Sequence, residues 1–403
     1  MRIIHTADWH IGQELLGFSR RYEQECFLNW LIEQCRQHRP DALLIAGDVF
    51  HHANPSSEAL ELFSCFTERA LAVLPSLLIV AVAGNHDSPA RFDALVPIVR
   101  TGVRLIGSVP RHADRFDLER LLVKAGDGVI LAMPYLKIGD LHVDGADEGL
   151  QNRVAALHRD VWKASAPERR ELPCVFTGHL HVLGAEVSDS ERPILVGGED
   201  SISAECFPAE ATYVALGHLH LAQQVDGGRV RYSGSPIPLT AKERSYKHEI
   251  VLLDIARDGS RTATSIVVPR SVQHLLVPSK DGVEPERALE LIESTLNELG
   301  IPKDLPFERQ PFVEVSLSLS SPQPKAAADL REAIQRAEIP VRLVHVGTNQ
   351  QHHVSGEPGV TYQGLDGHSP QTLFPLAFAN THGVSPEPHH TTAFNSALME
   401  AIQ

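Results

Sequence analysis

Cationic residues are scarce in this chain. Its 36 Lys and Arg face 51 Asp and Glu, a formal net charge of −15 over 403 residues. That balance disfavours a polyanion held by diffuse charge, so any contact with nucleic acid must be local. Cysteine is sparse too. The five (Cys26, Cys35, Cys65, Cys174, Cys206) are scattered and form no C-x-x-C pair, so neither a disulfide framework nor a zinc knuckle is indicated. Cys26 and Cys35 read as small core residues. No apolar run reaches membrane-spanning length, and the opening MRIIHTADWH has no apolar h-region. A cytoplasmic protein without membrane contact is expected. The rest is ordinary globular composition, 43% hydrophobic and 22% charged. At roughly 150 residues per domain, the length suggests two or three domains.

Short β-rich runs at 2–5, 42–46, 77–83, 174–177 and 213–216 each end in small and polar residues, the mark of strands leaving a core. Between the first two, Tyr22, Cys26, Phe27, Trp30, Leu31, Gln34 and Cys35 recur at helical spacing. A second such stretch follows Ser56 or Ser57, either of which suits an N-cap. Strand, helix, strand, helix, strand predicts a layered α/β domain over 1–270. Over 271–348, PERALELIESTLNELG, PFVEVSLSLS and KAAADLREAIQRAEIPVRLVHV read as a small α+β module. From 349 to 403 Lys and Arg are absent and His, Pro, Gly and Thr accumulate, which suits a linker-like tail. In that tail Leu373, Phe374 and Phe378, then Phe394, Leu398 and Ile402, form short amphipathic stretches suited to docking. Pro375 and SPEPHH are expected to interrupt helix there.

Chemistry-bearing residues sit directly after the strands. Asp8 and His10 follow the first, Asp48 the second, and Asn85, His86 and Asp87 the third; His179 follows the fourth, His218 and His220 the fifth. In an open α/β sheet, the carboxyl ends of strands converge on one crevice. Asp8, His10, Asp48, Asn85, His179, His218 and His220 are oxygen and imidazole donors without thiolate, a set that suits manganese, iron or zinc. One shared carboxylate would divide them into two tetrads with positions open for water and substrate. Two divalent ions outweigh two aspartates and would hold an anionic phosphate, orient a water and stabilise charge developing on phosphorus. A phosphoester hydrolase follows.

The runs HTADWHIGQ, AGDVF, AGNHDS, TGHL, ALGHLHLAQ and YSGSPIPL carry these residues, and through them the chain resembles the calcineurin-like metallophosphoesterases. Within that superfamily it is similar to the Mre-type nuclease subunits of SbcCD-like complexes. The resemblance implies a layered β-sandwich flanked by helices, with 271–348 as a DNA-capping domain and 349–403 as the tail that binds an SbcC-like SMC-family ATPase. It places Asp8, His10, Asp48 and His220 on one Mn²⁺ and Asp48, Asn85, His179 and His218 on a second, with Asp48 bridging. His86 would stabilise the transition state or protonate the leaving oxygen, Asp87 would orient His86 or serve the turn, and His51 would position the DNA end. The implied activities are ATP-dependent 3′ to 5′ double-strand exonuclease and single-strand or hairpin endonuclease, in DNA repair, recombination and replication. The assembly would be a homodimer within a heterotetramer. A phosphodiesterase or nucleotidase for a small molecule would use the same ligands, and an idle scaffold would need none of them.

Other residues carry plainer expectations. His5 is a hydrogen-bonded core residue, His52 faces solvent, and His181, His352, His353, His389 and His390 hold no metal. Trp9 packs under the metal loop rather than stacking on a base. Lys242, Arg244 and Lys247 could touch backbone phosphates or lie on a solvated turn.

Overall fold

Continuous runs of branched apolar residues make strands buried on both faces, which demands layers above and below. The structure, a computed structural model, describes residues 1–96, 101–112, 115–136, 141, 149–187, 201–278, 281–319, 323, 325–350 and, beyond these, 374, 375, 378, 386, 387, 390, 391 and 394. In it, β1 (Arg2–Thr6), β2 (Ala42–Ala46), β3 (Leu78–Val82) and β4 (Val103–Ile106) are parallel neighbours. Helices α1 (Arg21–His38) and α2 (Ser57–Val73) connect the first three. A second sheet holds β5 (Leu122–Ala125), β6 (Gly128–Leu131), β7 (Cys174–His179), β8 (Tyr213–Gly217), β9 (Gln223–Val225) and β10 (Val230–Tyr232), with helix α3 (Leu150–Ala164) between β6 and β7. The chain then returns to the first sheet as β11 (Glu249–Ile255) and β12 (Arg261–Val267), so the two orders are β12-β11-β1-β2-β3-β4 and β9-β10-β8-β7-β6-β5.

Alternation along the strands fills two cores. Ile3, Leu44, Val80 and Val82 face Val175, Phe176, Val214 and Leu216 of the second sheet. Their neighbours Ile4, Leu43, Ile45, Ile79 and Ala81 face Phe27, Leu31, Phe63 and Phe66 of α1 and α2. Each such side chain contributes about 1.5–3 kcal/mol on burial. The five strand ends named from the sequence thus come from two facing sheets rather than one open sheet. α2 starts as expected, Ser56 Oγ accepting the Ala59 N–H at 3.2 Å. The buried apolar stripe of α1 is Phe27, Leu28, Leu31, Ile32 and Cys35, while Tyr22, Cys26 and Trp30 are half-buried at its margin; of the two expected core thiols only Cys35 is enclosed.

A third sheet lies C-terminal: β13 (His274–Val277), α4 (Pro285–Glu298), β14 (Phe312–Leu319), α5 (Ala326–Arg336) and β15 (Arg342–Gln350), all strands parallel. Val313, Val315 and Leu317 pack against Ile292, Leu296, Leu330 and Ile334 in a cluster of their own. This module is joined to the layers before it. Leu15, Val272, Phe312 and Val344 form a small apolar seam, and residues Met1–Gln350 make one compact unit. Residues Gln351–Gln403 make another. In that second unit Phe374 stacks on Phe394 at 4.2 Å and meets Phe378 at 5.6 Å. Phe374, Pro375 and Phe378 are helical, so Pro375 does not end the helix as the sequence suggested; a helix's first turn tolerates proline's missing N–H. Leu373, Leu398 and Ile402 lie outside the described residues.

Candidate metal centre

The loops that leave β1 and β2 are bound to each other before any side chain is considered. Asp8 N–H donates to Gly47 O at 3.0 Å, His10 N–H to Asp48 O at 3.0 Å, and His51 N–H to Ile11 O at 3.1 Å. Asp8, His10 and Asp48 take the left-handed backbone at φ 54°, 46° and 48°, and His218 has φ 103°. Non-glycine residues adopt such angles only where the surroundings impose them, and here that turns four functional side chains inward. Two glycines make room. A Cβ at Gly84 would fall 2.1 Å from Asp48 Oδ1, and one at Gly217 would fall 2.0 Å from Ala46 O, where the two sheets approach.

Asp8, His10, Asp48, His179, His218 and His220 are buried and Asn85 is half-buried. Asp48 Oδ2 lies 3.5 Å from His10 Nε2 and 3.4 Å from His179 Nε2, and so stands between two imidazoles from different sheets. His179 Nε2 is 2.9 Å from Asn85 Oδ1, while its Nδ1 meets Ala46 O at 3.0 Å. The His218 amide donates to both Asp8 oxygens, at 3.0 and 3.2 Å. The rings of His10 and His220 are 5.4 Å apart, and those of His179 and His218 are 5.5 Å apart. Among the described residues, ligand atoms gather within 4.8 Å in the sets Asp8, His10, His220 and Asp8, Asp48, His179, and also in His10, His51, His86. All seven residues named from the sequence thus meet in one place.

The electrostatics follow from burial. Desolvation pushes the Asp8 carboxyl up to about 7. It would do the same to Asp48, but the charge and hydrogen bond of His179, with His10 and His86 beside it, outweigh burial and hold Asp48 well below the carboxylate range. Burial would depress His179, yet Asp48 raises it to about 9. Burial drives His10 and His218 far below the usual imidazole range, which keeps them neutral, the form that binds a cation. His10 Nε2 is buried and has no hydrogen-bond partner. A buried polar nitrogen left so beside a carboxylate, in a set of imidazole, carboxylate and amide donors, fits a divalent ion of the manganese, iron or zinc type.

His86 is held from both ends: its N–H donates to Asp48 Oδ1 at 2.8 Å and its Nδ1 lies 2.9 Å from His51 O. His51 Nδ1 is 3.2 Å from His10 Nδ1, and its ring lies against that of His86. Asp87 does not orient His86. Its carboxylate accepts the N–H groups of Val49, Phe50 and Gly84 at 3.1, 2.9 and 2.9 Å, so it clamps the second strand's loop to the third's. Trp9 is buried against Phe27 and Phe66, with Nε1–H donating to Thr6 Oγ1 at 3.0 Å, and is closed to a base. His5 is a core residue bonded to Tyr213 Oη and Leu216 O, both at 3.2 Å, and His52 is exposed.

One functional neighbour escaped the sequence. Glu243, fully buried, lies 3.1 Å from His220 Nδ1. It sits in a charged run, KERSYK, which reads as a solvated turn, and nothing in the spacing marks it as pointing inward. In the same run Arg244 pairs with Glu314 of the C-terminal module at 3.0 Å, and Lys247 with Glu249 at 3.7 Å, so Arg244 bridges within the molecule.

The family model of calcineurin-like phosphoesterases matches residues 1–222. The chain is 38% identical to SbcD, the nuclease subunit of SbcCD, from Rhodobacter capsulatus, over 94% of both chains. It is 36% identical to the protein of that name from Bacillus subtilis, covering 68% of this chain and 71% of that one. With the Escherichia coli K12 protein the figures are 34%, 67% and 68%. Fold, donor set and similarity agree on a metal-dependent phosphodiester hydrolase, and the chain belongs to the calcineurin-like phosphoesterases, in their SbcD branch.

Proposed function

We propose that this chain is the DNA-cleaving subunit of an SbcCD-type complex. The observation that carries the reading is the meeting of seven ligand-type residues from two sheets around Asp48, in a chain similar along 94% of its length to such a subunit. Asp8, His10, Asp48 and His220 would hold one divalent ion and Asp48, Asn85, His179 and His218 the other, Mn²⁺ in preference. When bound, the two ions supply Lewis acidity and an activated water. The protein does the rest. His179, anchored at Nδ1 by Ala46 O, presents Nε2 inward; His86, anchored at Nδ1 by His51 O, meets the leaving oxygen through Nε2 and gives it a proton. His51, at the rim, positions the DNA end.

The substrates in this reading are duplex ends, cut 3′ to 5′, and single strands or hairpins cut internally, in DNA repair, recombination and replication. The module at 271–348 caps DNA and the tail at 349–403 binds an SMC-family ATPase of the SbcC type, which gates the duplex with ATP, two copies of each subunit forming the complex. With a net charge of −15, much of the positive surface for DNA comes from that partner. A cytoplasmic place suits this role. Among the described residues no helix is long and apolar enough to cross a membrane.

The test is hydrolysis of an end-labelled duplex and a labelled hairpin in Mn²⁺, with and without the ATPase. Cutting that Asp48→Ala abolishes, and that the partner makes ATP-responsive, is the expected outcome. His86→Ala is expected to keep both ions and lose most turnover; an unchanged rate removes the role given to that residue. No DNA cleavage with the partner, together with rapid hydrolysis of a small phosphodiester, would establish a metabolic phosphodiesterase instead.

A further inference from the structure

A buried carboxylate is costly unless it is paired, and its partner therefore says what it is for. Glu243 has no exposed surface, and its Oε1 lies 3.1 Å from His220 Nδ1. Its Oε2 accepts the Leu239 N–H at 2.8 Å, which fixes the carboxylate within the short 3₁₀ turn Ala241–Ser245. His179 and His86 have their Nδ1 atoms anchored by backbone carbonyls. At His220 a full negative charge stands in that place. A charged acceptor at Nδ1 fixes the proton there, leaves Nε2 as the donor atom and makes it a stronger base, the arrangement by which outer carboxylates raise a histidine's affinity for a metal.

The geometry points to Glu243 as the positioning residue of the metal centre, acting through His220 to set the affinity of one ion of the pair. This rests on the two-ion reading above and adds to it an asymmetry: the site that contains His220 is tuned by a carboxylate from outside the strand ends, and the site that contains His179 is not. The turn itself is held by more than Glu243. Arg244 reaches Glu314 at 3.0 Å, and His248 Nε2 lies 3.3 Å from Glu243 O.

The test is calorimetric titration of the metal-free full-length protein with Mn²⁺, alongside thermal unfolding of the metal-free forms. Glu243→Gln keeps an oxygen for the Leu239 N–H and removes the charge. It is expected to weaken one of two ions by about 10–100-fold, to leave the other within about twofold, and to unfold at the temperature of the parent protein. Glu243→Asp, which restores charge, is expected to recover part of the loss. Equal weakening of both ions, or unchanged affinity with only a lowered unfolding temperature, would overturn the inference and make Glu243 a structural turn residue. If Glu243→Gln is unchanged while Asp48→Ala still abolishes binding, the metal centre stands and the inference alone fails. If the parent protein binds no Mn²⁺, the two-ion reading falls and this inference falls with it.

Discussion

Asp48 is the most constrained side chain of the centre. Its backbone is left-handed, one oxygen accepts the His86 N–H, and the other faces two imidazoles. Gly84 is the reason it fits, since any side chain there would occupy the place of Asp48 Oδ1. Gly84→Ala is therefore expected to displace Asp48 by about an ångström and cost roughly 10²-fold or more in Mn²⁺-dependent hydrolysis, with Mn²⁺ titration showing the loss at the binding step. At this scale the sequence was highly legible. Every proposed ligand stood directly after a strand, in a pattern no structural turn repeats five times. Asp87 and Glu243 were not legible, because what each carboxylate binds depends on partners that are distant in the chain or turned inward by a loop whose composition says surface. The nearest backbone donors to Asp87 outside its own loop are Val49 and Phe50, 38 and 37 residues away.

Strands and helices were readable from periodicity to within a residue or two, since burial on both faces leaves an unbroken apolar run and an N-cap serine marks where α2 begins. The partition into two facing sheets was not readable. Strand pairing leaves no periodic signal, and β11 returns to β1 across nearly the whole domain, Arg2 opposite Asp254. The loop after β1 shows how an element is fixed by what lies beneath it: Trp9 enters the seam between α1 and α2, its ring 5.6 Å from Phe27 and 5.2 Å from Phe66. Trp9→Ala is expected to destabilise the protein by about 3–5 kcal/mol, measured by denaturant unfolding of the metal-free form, because it opens a cavity between two helices. A base-stacking residue would instead lower DNA affinity at unchanged stability.

Across the whole molecule, the layers and the C-terminal module are coupled through buried charge. Glu23 of α1 is paired with Arg20 at 2.7 Å and lies 3.5 Å from His274 of β13. Arg342 of β15 lies over the Phe312 ring at 3.7 Å and donates to Ser19 O at 3.3 Å. Burial alone would raise the Glu23 carboxyl, but Arg20 and His274 overcome it and hold it at about 2, below the ordinary 4.5. A carboxylate depressed in the folded state contributes stability that is present above pH 4.5 and lost as pH falls toward 2. His274, kept low by burial, adds a loss of the same sign that begins below 6.5. Thermal unfolding between pH 6 and pH 2.5 is expected to fall more steeply for the parent protein than for Glu23→Gln. Parallel curves would mean that this pair contributes nothing to the joint. The sequence separated the module by its texture and held no sign of this joint, whose charges come from four separate segments.

The parts of the centre lie far apart along the chain: Asp8 and His218, which share hydrogen bonds, are 210 residues apart. A growing chain at ~5–20 residues per second takes roughly 10–40 s to pass from one to the other. Throughout that interval the chain is surrounded by the RNA of the machine that makes it, a dense array of phosphodiesters, and holds only part of its ligand set. Because the donors are divided between the first sheet and the second, hydrolytic capacity arrives late in synthesis, when the last histidines have emerged and the sheets have closed. The long loop of chain between the ligands thus acts as a timer, built from topology alone, that keeps the nascent protein inert toward its own template.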